Sequence, residues 1–548
     1  MRERLRRWLA SAGQLALSAG LLWMGHGLAQ AQPHNSPSAT AAKSAAPTTA
    51  ASAAALYGQH CASCHGAQRT GGMGPALLPE SLARLRRPEA LNVIQQGRAA
   101  TQMGGFAATL APADIAALTE WIYQPVTPAP AWSDDDVRAS RVETASTRNL
   151  PARPSWKADP MNLFVVVEGG DHHVSLVDGD RFEVIHRFAS RYALHGGPKF
   201  SPDGRYVFFG SRDGWITKYD LWNLAVVAEV RAGLNMRNVA VSGDGRWVMA
   251  ANYLPRTVVL FDADLQLVKR YDATTLDGKS ASRASAVYDA TPRKSFVVAL
   301  KDIPEVWEIS YDPKAPPIYD GLVHDYKMGE AIAKPGYLGV RRTPLEEPLD
   351  DFFFDQSYRH VLGATRPKAD GSPSAQVVNL DIRRRIAALP LAGMPHLGSG
   401  ITFAWNGGTV LASPNLKDGV VQVIDMKTWK TVKSIATPGP GFFMRSHENS
   451  RYAWVDSMMS PGAKDTLSVI DKETLEPVAQ VREPGRTLAH IEFTRDGRYA
   501  LASVWEMDGA IVVYDARTLK EVKRLPMSKP VGKYNVFNKI TRSEGTSH

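Results

Sequence analysis

Cysteine is nearly missing: the 548-residue chain carries two, Cys61 and Cys64, and none in the several hundred residues that follow. A zinc centre there would need further cysteine or histidine ligands at suitable spacing. Long apolar runs are also missing. After Met24 none reaches the ~20 residues that span a bilayer, so no transmembrane segment is expected in the mature chain. A basic stripe and any recognisable nucleic-acid module are missing too. Of the formal +9 charge, Arg2, Arg4, Arg6 and Arg7 against Glu3 supply +3 at the extreme N-terminus, and the remaining +6 lies among scattered charges of both signs. No nucleic-acid partner is expected. Between Gln32 and Ser52 large apolar residues all but vanish from an Ala/Ser/Thr/Pro stretch, which predicts a disordered tether over 32–53. The chain is too long for one ordinary core, so at least two domains follow.

The N-terminus has a basic start, an apolar run from Leu15 to Met24 and a small-x-small site at Ala29-Gln30-Ala31. This predicts a signal peptide over 1–31 and a periplasmic mature protein. A membrane anchor is the alternative, and the apolar run is short for one.

Cys61-Ala-Ser-Cys64-His65 is the attachment pattern of a c-type haem. Its spacing suits two thioether links to neighbouring vinyl groups, with His65 placed to bind the iron. A dithiol redox pair would sit where a strand enters a helix of a βαβ unit, a pattern that this region does not show. One covalent haem c is therefore expected, in an all-α domain over 54–125. Pro112 opens a helix on which Ile115, Leu118, Trp121 and Ile122 share a face, predicted to pack on the opening helix around Leu56. The stretch from Asn92 to Phe106 resembles the loop bearing the sixth ligand in class I cytochromes c, which points to Met103. His60 and Met73 are the alternatives. Thioether ligation raises the potential relative to bis-histidine, which suits single-electron transfer.

Proline, serine and charge rise again between Thr127 and Pro160, which predicts a linker over 126–160. Beyond it apolar strands ending in aspartate recur, at Asp178, Asp220, Asp262, Asp312, Asp381, Asp425, Asp471 and Asp515, mostly 42 to 46 residues apart. That is the period of four-stranded propeller blades. Turns such as Ser201-Pro-Asp-Gly-Arg205, Ser242-Gly-Asp-Gly-Arg246 and Arg495-Asp-Gly-Arg498 precede strands as hairpin turns do. Eight units predict an all-β, eight-bladed propeller over 161–543. The wide gap from Asp312 to Asp381 predicts an insertion, with Pro344 to Asp351 as a candidate.

A covalent haem ahead of an eight-bladed propeller resembles the cytochrome cd1 family, whose propeller holds haem d1. Tyr192-Ala-Leu-His195-Gly-Gly-Pro-Lys-Phe-Ser-Pro-Asp-Gly-Arg is similar to the segment with the proximal axial histidine. Met394-Pro-His396-Leu-Gly-Ser-Gly is similar to the distal Pro-His loop, and Val531 to Asn538 to the closing segment. Nitrite reductases of the family carry a second distal histidine where this chain reads Asp350-Asp-Phe-Phe-Phe-Asp355. The chain has instead His490, in Thr487-Leu-Ala-His490-Ile-Glu492. With the Leu-His-Gly-Gly form and the ending from Asn538, it is nearest the branch that desaturates a propionate of dihydro-haem d1 to acrylate.

That resemblance implies a substrate and product, dihydro-haem d1 and haem d1, and roles for particular residues. His195 would ligate the tetrapyrrole iron, His396 would be its opposite ligand or a gate, and His490 the general base, an imidazole that titrates near the operating pH. Lys199, Arg212, Arg237 and Arg283 are candidates to bind the ring carboxylates. Electrons would leave through the covalent haem to a periplasmic acceptor, and the product would pass to nitrite reductase. Rival functions are nitrite reduction, a haem d1 carrier and a generic electron-transfer protein. A pure carrier needs no redox haem, which speaks against the second. His172, His173, His186, His324, His360 and His447 are expected at turns or on the surface.

Overall fold

The computed structural model describes residues 50–545 apart from Met73, Arg84, 98–102, 145–149, Tyr192, 320–332, 366–374, 392–394 and Ser543. The expected signal peptide, most of the tether, Met73, His324 and Met394 lie outside the described residues.

The opening helix, Ala50–His60, starts within the stretch expected to be tether, and Ala53 is already buried on it. It packs against the helix Pro112–Ile122, as the apolar spacing predicts. Tyr57, Ile115, Leu118 and Ile122 form one core with Leu82 and Leu110, and Tyr57 and Trp121 rings lie 4.9 Å apart. Burying each such side chain contributes about 1.5–3 kcal/mol. Pro112 occupies the first turn of its helix, where its missing N–H leaves no bond unmade. A third helix, Arg87–Gln96, ends at Gly97, whose φ of 78° takes the chain out of the helix.

The linker is more ordered than its composition predicts. Ser133 caps the helix Asp134–Ser140 by accepting from Asp136 N–H, and three aspartates in the first turn suit its positive end. Val137 then anchors this helix in a propeller core, and Val142–Glu143 pairs with Ala225–Arg231 as the fifth strand of that blade. Side-chain pattern alone does not reveal a strand of two residues whose partner lies in a distant part of the sequence, Val142 against Glu229.

Eight antiparallel sheets follow. Second strands such as Leu163–Glu168 are buried along their length, whereas outermost strands such as Arg384–Leu389 alternate. The recurring aspartates explain their own spacing. In six blades the residue ends the third strand, and its Oδ1 accepts backbone N–H groups from the turn that follows, as Asp178 does from Asp180 and Arg181. The pattern slips twice. Asn379 rather than Asp381 caps its turn, and the strand before Asp312 stops at Ser310. The insertion is also displaced: it falls between Glu305–Ser310 and the outer strand Val340–Pro344, while Pro344 to Asp351 is the step to the next blade.

The ring is closed by both ends of the propeller sequence. Pro530–Asn535 is the innermost strand of a sheet whose other strands are Leu163–Glu168, His173–Asp178 and Glu183–Ala189. Helix Val536–Thr541 and the tail then cross one end of the central channel. Asn538 donates to Glu492 and Phe493, Arg542 to Asp289 and Tyr358, and Gly545 joins Ser446 to Thr402.

Candidate functional site

In the helical domain a tight loop cradles His65. Gly66 and Gly71 take φ of 78° and 87°, and a Cβ on Gly74 would stand 2.7 Å from the His65 ring, so glycine alone lets the loop pass so close. His65 Nδ1 lies 2.8 Å from Pro75 O. A carbonyl only accepts, so Nδ1 carries the proton and Nε2 keeps its lone pair for a metal. Burial lowers the His65 pKa and favours this neutral form. Burial and nearby Cys64 push the Cys61 thiol up to about 11, the reverse of the depressed value of a redox dithiol. These residues fit a covalent haem, with Cys61 and Cys64 as thioether sites and His65 as ligand. Met103 is half-buried beside the Gly97–Gly104 bridge, and His60 rests edge-on to Phe106 at 6.1 Å.

The same loop docks on the propeller. Ala76 and Leu78 are buried with Leu234, and Asn235 Nδ2 donates to Glu80 O. Arg231 binds both sides: Nη2 donates to Thr70 O at 2.6 Å and Nε to Asp213 O at 2.8 Å. The residue before Asp213 is Arg212, which donates to His195 Nε2 at 2.8 Å.

His195 belongs to a ring of side chains from different blades, at the starting ends of the innermost strands. Its Nδ1 donates to Arg237 O at 2.8 Å. The Arg237 guanidinium lies 3.6 Å from Asp351, which accepts from Tyr288 at 3.0 Å. Burial works against that guanidinium's charge, yet Asp351 and Tyr288 hold it above its ordinary value. His396 donates Nδ1–H to Phe442 O at 2.8 Å, its ring 4.1 Å from that of Phe442, and burial lowers its pKa. Phe443 follows, 4.6 Å from His490, which lies 5.2 Å from Tyr534. Tyr534 folds back against Gly197, two residues from His195, and closes the circle.

His490 differs from the other three histidines. It is 1% exposed, adopts a left-handed φ of 50° in a ladder irregularity between Ala489 and Glu492, and neither ring nitrogen has a partner among the described residues. Burial, then the charges of Lys533 and Arg445, push its pKa well below the ordinary value. A buried polar group left unmatched on a strained backbone marks functional sites.

Of the candidate cations, Arg212 and Arg237 reach this ring. Arg283 instead forms a two-pronged pair with Asp302 at 2.8 and 2.5 Å. Lys199 sits deeper, in a channel cavity of about 100 Å³ that Lys539, Arg542 and Tyr288 also line. Burial and then Arg542 lower Lys199 to about 8, and burial and then Arg445 lower Lys539 to about 7.

The family model described as the cytochrome D1 heme domain matches residues 158–320 and 333–539. The chain belongs to that family. A second model, described as cytochrome C oxidase, cbb3-type, subunit III, matches residues 48–122. The dihydro-heme d1 dehydrogenase of Pseudomonas aeruginosa is 56% identical over 497 residues, covering 90% of this chain and 95% of that protein. The nitrite reductase of Stutzerimonas stutzeri is 26% identical over 580 residues, covering 95% and 97%. A solved structure of dihydro-heme d1 dehydrogenase NirN in complex with DHE matches with a TM-score of 0.81 at 56% identity, over 89% of this chain and 99% of that one.

Within this cytochrome D1 heme domain, the sequence reading passed over Asp351, Phe442, Phe443, Asp456, Lys533 and Tyr534. Asp456 is fully buried and accepts from Phe442, Phe443, Met458 and His490 N–H groups, yet burial still raises it to about 6. It ends a strand as the repeating aspartates do. Its position 15 residues before Asp471, outside the blade rhythm, is the signal that sets it apart. Phe352, Phe353 and Phe354, at the segment where the reductases place a histidine, are buried in blade cores.

Proposed function

We propose that this chain is a periplasmic dehydrogenase that oxidises a propionate side chain of dihydro-haem d1 to acrylate. The reaction converts –CH2–CH2– to –CH=CH– and releases two protons and two electrons. One observation carries the assignment of roles: His65, His195 and His396 each donate Nδ1–H to a backbone carbonyl, whereas the His490 ring has no hydrogen-bond partner among the described residues. The first three are thereby set with an Nε2 lone pair, the state a metal ligand requires. His490 is held neutral and unpaired, ready to take a proton.

In this reading His195 and His396 hold the tetrapyrrole iron from opposite sides, Arg212 leaving His195 Nε2 as the iron arrives. Arg237 and Arg212 bind ring carboxylates, and Lys199 and Lys539 attract them from below. His490 takes a proton from the propionate. The covalent haem supplies a one-electron acceptor when bound by Cys61, Cys64, His65 and Met103. Arg231 keeps the His65 loop docked to the segment carrying Arg212. A periplasmic acceptor takes the electrons singly, and nitrite reductase receives the product. The 56% identity to a dihydro-heme d1 dehydrogenase supports this reading over nitrite reduction, as does the packing of Phe352 to Phe354 in place of an imidazole.

The test is anaerobic incubation of the haem-loaded protein with dihydro-haem d1. The extracted ring should be two hydrogens lighter, and the covalent haem should become reduced. A ring that is held but unchanged, beside a haem that stays oxidised, overturns the proposal.

A further inference from the structure

One buried carboxylate joins the elements that carry His396 and His490. Asp456, at the end of strand Tyr452–Asp456, receives four backbone N–H groups. Oδ1 accepts from Phe442 at 2.7 Å and Met458 at 3.4 Å, and Oδ2 from Phe443 at 3.1 Å and His490 at 3.4 Å. The peptide between Phe442 and Phe443 is thus gripped at both ends. Its N–H donates to Asp456, and its C=O accepts Nδ1–H from His396. Negative charge on the N–H side polarises the peptide and strengthens its carbonyl as an acceptor. That favours the His396 tautomer with the lone pair on Nε2.

The second grip is on His490. A left-handed φ at a residue with a side chain persists only where its surroundings enforce it. Here the His490 N–H goes to Asp456, and its C=O accepts from Lys533 Nζ, which also donates to Ser503. Four N–H donors shared between two oxygens require a carboxylate. An asparagine has one such oxygen, and its NH2 would face two of the donors. Among the described residues Asp456 forms no ion pair within 4 Å, and these four amides are the groups that hold its two oxygens directly.

We infer that Asp456 is a positioning residue for the desaturation, fixing the His396 tautomer and the left-handed His490 bulge through one buried carboxylate. The inference rests on the function proposed above.

The test compares the full-length, haem-loaded wild type with Asp456→Asn, His490→Ala and the double variant. Asp456→Asn should slow single-turnover conversion of bound dihydro-haem d1 by about tenfold to a hundredfold, as small misplacements of reacting groups do. Affinity in absorbance titrations should change by less than about threefold. In the His490→Ala background the same change should cost no more than about threefold, because the base it positions is already gone. In the substrate-free protein the amides of Phe443 and His490 should exchange hydrogen faster, with other blades unaffected. If Asp456→Asn does not fold, Asp456→Ser, with room for a bridging water, carries the same measurements. Wild-type conversion by a folded Asp456 variant, or equal losses in both backgrounds, overturns the inference and leaves the function standing. A wild type that binds the ring without converting it removes both.

Discussion

The two histidine sites of this chain are built in opposite ways. His65 is served by a contiguous stretch, with Cys61 and Cys64 before it and Gly74 and Pro75 just after. The ring around His195 is assembled from blades whose residues lie up to several hundred positions apart, each contributing one or two side chains. The first site is written locally and depends little on the rest of the fold. The second exists only once the propeller closes.

Breaking the local site should produce the largest effect. His65→Ala should abolish the c-type absorption spectrum of the protein while leaving tetrapyrrole affinity within about threefold, since His65 packs on Gly74 and Pro75 of its own loop. A parallel collapse of tetrapyrrole binding would show that the sites are not separable. Next is His490→Ala. Losing a general base should cut single-turnover desaturation by about a hundredfold to ten-thousandfold with affinity nearly unchanged, and an unaltered rate would remove His490 from the chemistry.

A smaller effect tests the channel cations. Lys199 and Lys539 have pKa values lowered to about 8 and about 7, so in the empty protein they lose their charge as pH rises through those values. Carboxylates bind the protonated forms. Tetrapyrrole affinity should therefore fall as pH rises from 7 to 9, by about tenfold for one charge, and Lys199→Gln should flatten that slope. A pH-independent affinity would place the carboxylates elsewhere. The smallest effect belongs to the seam between the sites. Arg231→Gln removes charge-assisted bonds to Thr70 and Asp213, each worth about 1.5–3 kcal/mol at most. Hydrogen exchange over residues 70–80 should rise in this variant, with the outer blades unchanged.

The same division governs what was legible in the sequence. The haem pattern, the helix face of Ile115, Leu118 and Ile122, and the aspartate rhythm of the blades are short-range features, and they are found where they were read except at Asp312 and Asp381. His195 and His396 were singled out by longer motifs, and the structure brings both side chains into one ring. Asp456 was hidden because a strand-ending aspartate in a propeller reads as a turn cap. Tyr534 lay inside the closing segment read at Val531 to Asn538 but was not singled out, because its place beside Gly197 depends on ring closure. His447, expected at a turn, is wholly buried near Phe493, and the ordered helix from Asp134 depends on a propeller face that composition does not reveal.

Closure by the strand Pro530–Asn535 ties three things to one segment. That strand and the helix after it supply the seal of the cylinder, the tyrosine beside His490 and the helical cover at one end of the channel. A lesion that frees the segment from Leu163–Glu168 therefore removes all three together.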